Sequence, residues 1–69
     1  MELTIVKVFD DVPPCPICGG RTAGLMEQRG GGWVMGCLAA HCMYLAEVTT
    51  CRWAAVLAWY VASMRAHLR

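Results

Sequence analysis

These 69 residues predict a small α+β fold: a β-hairpin, extended to a three-stranded antiparallel sheet, followed by one C-terminal helix. Three observations carry the expectation. Cysteines stand in two groups, Cys15-Pro16-Ile17-Cys18 and Cys37-Leu38-Ala39-Ala40-His41-Cys42. Between them lie two runs that read as strands, separated by Gly30-Gly31-Gly32. After them, from Trp53 through Leu68, comes a tract free of glycine and proline, with apolar residues at helical spacing.

A single domain spans 1–69, divided into an N-terminal strand or arm over 1–12, a ribbon over 13–48 and a helix over 50–67. Leu3 to Phe9 is rich in β-branched residues and apolar on both faces, so it reads as a covered strand or extended arm. Pro13-Pro14 ends it, because two successive prolines remove donors and fix φ. Arg21 to Gln28 alternates Ala23, Leu25 and Glu27 against Thr22, Gly24 and Met26. Trp33 to Cys37 returns as its hairpin partner. The triple glycine between them lacks a following Gly-Lys-Ser/Thr and opens no helix, so it reads as a hairpin tip and not a phosphate cradle. Met43 to Thr49 alternates again and is expected to be a third ribbon strand. Thr49 or Thr50 then supplies the hydroxyl that caps the helix.

The cysteine spacing carries the chemistry. A Cys-x-x-Cys turn aims two sulfurs at one centre, and tetrahedral zinc needs two further ligands from elsewhere in the chain. The span from Gly19 to Gly36 falls within the roughly 15–20 residues that separate the halves of a paired-cysteine zinc module. Cys15, Cys18, Cys37 and Cys42 are thus the expected ligands of one structural Zn2+. His41 is the alternate to Cys42, since the second group is wider than Cys-x-x-Cys. Cys42 is preferred because all-thiolate sites are common among structural zinc centres. Disulfides suit a secreted chain, but Met1-Glu2-Leu3-Thr4 has neither the basic nor the apolar region of a signal peptide. A cytoplasmic location and a metal are expected instead. A redox Cys-x-x-Cys opens a helix after a strand, which Gly19-Gly20 does not allow here. Cys51, in the first helical turn, reads as a half-buried structural cysteine.

A chain this short buries only about 60% of its unfolded surface, so its core needs a staple, and the metal supplies one. Hydrophobic residues make up 58% of the chain, against about 45–50% in typical domains. Apolar surface should therefore remain for a partner or a second copy. In the helix, Trp53, Val56, Leu57, Tyr60, Val61, Met64 and Leu68 form the face expected to lie on the sheet. Trp59 falls outside that face, and Ala54, Ala58, Ala62 and Ala66 form a separate row of small residues. Contact on a second side follows, with a homodimer through this helix as one form of it. The apolar tract between Arg52 and Arg65 is too short for a bilayer, which takes about 20 residues. Arg65, His67 and Arg69 complement the helix dipole. Trp33, Trp59, Arg52 and Arg65 are the residues assigned to partner contact.

Cys15-Pro16-Ile17-Cys18-Gly19-Gly20, a hairpin ending in a second cysteine pair, and a final helix carrying the Ala55–Trp59 tract together resemble the restriction-alleviation (Lar-type) zinc ribbons of phages and prophages. The resemblance covers roughly residues 13 to 65. It implies a small phage-encoded protein that binds a host defence complex, such as a restriction enzyme or a CRISPR effector, without catalysis. The residues themselves contain no Ser-His-Asp set and no close carboxylate pair, and zinc with four protein ligands has no open position for water. The competing expectation is a nucleic-acid-binding ribbon, with Arg21, Arg29, Arg52 and Arg65 on phosphates and Trp33 stacked on a base. A net charge of +1 provides little field for that role. A metal hydrolase would need His41 and Cys42 to leave one coordination position free, and no general base is evident.

Overall fold

The structure is a computed structural model that describes residues 2–67, with the side chain of residue 67 excluded. Strands β1 (Leu3–Phe9), β2 (Ala23–Gln28) and β3 (Trp33–Cys37) precede helix α1 (Arg52–His67). The strands form one antiparallel sheet in the order β1-β2-β3. The expected small α+β architecture is therefore present.

The hairpin of β2 and β3 is in the expected place, with Ala23 opposite Cys37 and Glu27 opposite Trp33. Its tip explains the three glycines: Gly30, Gly31 and Gly32 have φ of 91°, 112° and 109°, a region that side chains rarely tolerate. The turn closes through Gly31 N–H donating to the Gln28 carbonyl at 3.0 Å and Gln28 N–H to the Gly32 carbonyl at 3.0 Å.

The sheet's third strand is not the one expected. β1 takes that place, pairing with β2 from Leu3–Gln28 to Phe9–Ala23 through an irregularity between Ile5 and Lys7. It lies at the sheet edge and is largely open, contrary to the expectation that it is covered: Ile5, Val6 and Val8 are about half exposed, while Phe9 packs against the core. The segment 43–49 follows the outer edge of β3 without becoming a regular strand. Cys37 N–H donates to the Tyr44 carbonyl, Ala46 N–H to the Met35 carbonyl, and Trp33 and Thr49 exchange two bonds of 2.8 Å. Its bridges Gly36–Leu45 and Trp33–Thr49 are out of step by one residue. Met43 enters this segment in the left-handed region, with φ 52°, and that bend together with the slipped register prevents a regular ladder.

The helix presents the face opposite to the one expected. Ala55, Trp59 and Ser63 are buried, whereas Trp53, Leu57, Tyr60, Val61 and Met64 are exposed; of the expected face Val56 is half-buried against the core, and Leu68 lies outside the described residues. The reason is close packing. Small residues let the helix approach the sheet, and one large ring fills the remaining space against Val12, Leu25, Met35 and Ala46. Because α1 is apolar nearly all round, periodicity alone could not choose its inner side. Trp59 is 0% exposed. Its indole N–H donates to the Pro13 carbonyl at 2.9 Å, and its ring meets Tyr44 at 5.9 Å between centroids, tilted by 58°. The assignment of Trp59 to partner contact is thus corrected: it is the centre of the core and the link between the helix and the segment that leads into Cys15.

The cap also differs. Thr49 Oγ1 has two carbonyls within reach of its single proton, Cys51 at 2.8 Å and Trp33 at 3.3 Å, and it accepts no bond from the first turn among the described residues. The Cys51 carbonyl accepts the first helical bond, from Ala55 N–H at 3.2 Å. No helix among the described residues is long and apolar enough to cross a membrane.

Candidate metal centre

Four thiols converge where the two loops meet. The sulfurs of Cys15, Cys18, Cys37 and Cys42 all lie within 4.8 Å of one another. Cys15 and Cys42 are 3.6 Å apart and Cys18 and Cys37 3.5 Å apart. A tetrahedron of sulfurs about 2.3 Å from a central zinc has edges of about 3.8 Å. The residues therefore fit one metal ion of that size and ligand preference. All five cysteines of the described chain are free thiols.

Local backbone geometry builds each half. In the first loop, Gly19 N–H donates to the Cys15 carbonyl at 2.9 Å and Cys15 N–H to the Gly20 carbonyl at 2.8 Å. Gly19 adopts φ 78° to close this turn. Ile17 N–H then points at Cys15 Sγ and Gly20 N–H at Cys18 Sγ, both at 3.4 Å. Backbone amides of Ala39 and Tyr44 act in the same sense on Cys37 and Cys42. Each sulfur thus has an amide donor two residues ahead, an arrangement that favours negative charge on sulfur and orients it toward the centre. A Cβ on Gly20 would stand 3.3 Å from Cys18 Sγ and 3.9 Å from Cys37 Sγ, so the absence of a side chain there keeps the ligand cage uncrowded.

Electrostatics separate the thiols. The Gly20 amide, with help from Cys37, draws Cys18 down to about 7. Burial pushes Cys37 up to about 12 and also raises Cys42. Cys15 and Cys37 are buried, Cys42 is half-buried and Cys18 is exposed. Several thiols facing one another cannot all ionise without a cation between them, and a divalent ion reverses that balance.

His41 is exposed and stands outside the sulfur group. Cys42 completes the sulfur group, because the 37–42 turn folds it inward: Cys42 N–H donates to the Ala39 carbonyl at 3.0 Å, and Met43 N–H to the same carbonyl at 3.3 Å. Cys51 is half-buried at the start of α1 and also lies outside the group. Of the residues assigned to partner contact, Arg52 and Arg65 are exposed, Trp33 is half-buried on β3, and Trp59 is in the core. Arg21 pairs with Asp11 and Arg29 with Glu2, at 3.3 and 3.2 Å. Sequence reasoning missed the Trp59–Pro13 bond; the signal available was a proline pair set immediately before the metal turn, whose carbonyls cannot all be satisfied by a strand.

The chain matches no protein-family model, no curated protein and no solved structure.

Proposed function

We propose that this chain is a protein-binding module held together by one structural zinc ion, and that its partner is a host defence complex of the restriction-enzyme or CRISPR-effector kind. The observation that carries the binding role is the outward side of the domain: Trp53 is 69% and Met64 61% exposed on a helix whose inner side is already packed. The exposed apolar surface continues onto β1 at Val6, which lines one groove with Trp53. Large uncovered apolar area on a small domain is the physical mark of an interaction surface. Zinc is supported by the all-sulfur donor set and its dimensions. Four sulfur ligands complete a tetrahedron, so the metal's role is to hold the fold, with no site left for a substrate. The identity of the partner is supported by the resemblance of the first cysteine turn and the helix to Lar-type ribbons.

The nucleic-acid alternative is less well supported. Arg21 and Arg29 are engaged with carboxylates, and Trp33 is half-buried, so the proposed phosphate contacts shrink to Arg52 and Arg65. The test is functional. Expression of the chain in bacteria that restrict unmodified phage DNA, and in bacteria with an active CRISPR effector, should raise phage plating in at least one of the two. Cys15→Ser should abolish the effect. Unchanged plating in both strains, with the zinc-loaded chain present, contradicts the defence assignment.

A further inference from the structure

The β1 edge differs from the rest of the surface. β3 has its outer edge occupied by 44–49, whereas the outer edge of β1 has no partner strand among the described residues. Beside that edge runs a groove of about 380 Å³ between β1 and the start of α1. Its walls include Val6, Phe9, Trp53 and Val56, and its two cations are Lys7 and Arg52. Neither cation forms an ion pair among the described residues. Lys7 Nζ lies 5.2 Å above the Phe9 ring, which holds it at the groove.

We infer that this edge and groove bind an extended, acidic and apolar peptide segment of a partner protein, added to the sheet alongside β1. The inference rests on the protein-binding reading and specifies the partner's chemistry. Main-chain donors and acceptors of β1 supply pairing, alternate apolar side chains of the guest enter the groove, and its carboxylates meet Lys7 and Arg52. A second copy fits poorly. Full antiparallel overlap of β1 with itself, centred on Val6, sets Glu2 against Asp10 of the copy at both ends. The same register sets Lys7 of each copy opposite Ile5 and gives it no carboxylate. An edge lysine and an irregularity at Val6 are devices that deter indiscriminate strand pairing. The same lysine becomes an anchor when the incoming strand is acidic.

The test begins with a displayed library of random twelve-residue peptides, selected on the immobilised, zinc-loaded full chain. Enriched peptides should alternate apolar residues and carry carboxylates, and their binding should slow amide hydrogen exchange in 3–9. Lys7→Glu combined with Arg52→Glu, both on exposed side chains, should weaken these peptides more than tenfold, and replacing the peptide carboxylates by lysines should restore binding to that variant. Absence of enrichment, peptides without carboxylates, or a free chain that is already dimeric with 3–9 protected would overturn the inference. Helical peptides that perturb Leu57, Val61 and Met64 but leave β1 exchange unchanged would also overturn it, while leaving the protein-binding reading in place. A mixed-sequence single-stranded DNA 20-mer that binds with steep salt dependence and competes with the peptides would overturn both.

Discussion

The metal loops and the β1–α1 outer surface contrast in how fully their chemical groups are used. Around the four cysteines, the turns are closed by short backbone bonds, each sulfur has an amide donor, and Trp59 both fills the core and bonds to Pro13. On the other surface, a seven-residue strand has an open edge, and large apolar side chains face outward from both strand and helix. In one region the polar and sulfur groups are satisfied internally, and in the other an open strand edge and apolar side chains are not. A metal held by the four cysteines would relieve the core of a 58% hydrophobic chain of this length from having to use all its apolar residues.

If that division is right, damage to the metal region should unfold the domain and damage to the outer surface should not. The largest effect is expected from the ligands. Cys15→Ser, or chelation of the metal, should remove helical and sheet signals in circular dichroism, since structural zinc contributes about 10–16 kcal/mol of apparent binding energy at neutral pH in small domains. Trp59→Ala should come next, costing about 3–5 kcal/mol of stability in denaturant titration. Trp53→Ala, the same chemical change on the outer side, should shift stability by less than about 0.5 kcal/mol. Equal effects from the two tryptophans would erase the contrast.

Acidification sharpens the comparison further. Cys37 at about 12 and Cys42, also raised, hold protons at neutral pH that a metal must displace, while Cys18 at about 7 is half ionised there. Protons therefore compete with the metal, and affinity should fall as pH drops, with a further loss below pH 7 as Cys18 takes up its proton. A zinc titration against a competing chelator at pH 6, 7 and 8 checks both the direction and the extra loss. A change of the opposite sign is expected at Ser63, whose buried Oγ has no hydrogen-bond partner among the described residues. Ser63→Ala should be neutral or stabilising by about 1 kcal/mol, because it removes a desolvated hydroxyl and leaves no partner orphaned.

Local chemistry made much of the structure legible. Cys15-x-x-Cys18 and the glycines at 30–32 act through turns a few residues long, and both sit where their spacing places them. The β2–β3 hairpin follows from them. The failures concern choices between equivalent surfaces. β1 and 43–49 both alternate, and the ladder went to β1 because the 37–42 loop and Met43 leave the later segment out of step. Helix α1 has apolar residues around almost its whole circumference, so the decision lay with shape: alanines permit close approach, and Trp59 alone reaches both the Tyr44 ring and the Pro13 carbonyl. Such long-range fits have no periodic signature. Cys42 and His41 are adjacent, and only the fold of their turn separates them.

That adjacent pair offers the most direct test of the metal centre. Native mass spectrometry of the purified chain, His41→Ala and Cys42→Ser reads zinc content and oligomeric mass at once. One zinc per chain is expected in the parent and in His41→Ala, with zinc lost in Cys42→Ser. Retention in Cys42→Ser with loss in His41→Ala, or a parent chain that binds no zinc, would contradict the four-sulfur centre on which the division between the two regions depends.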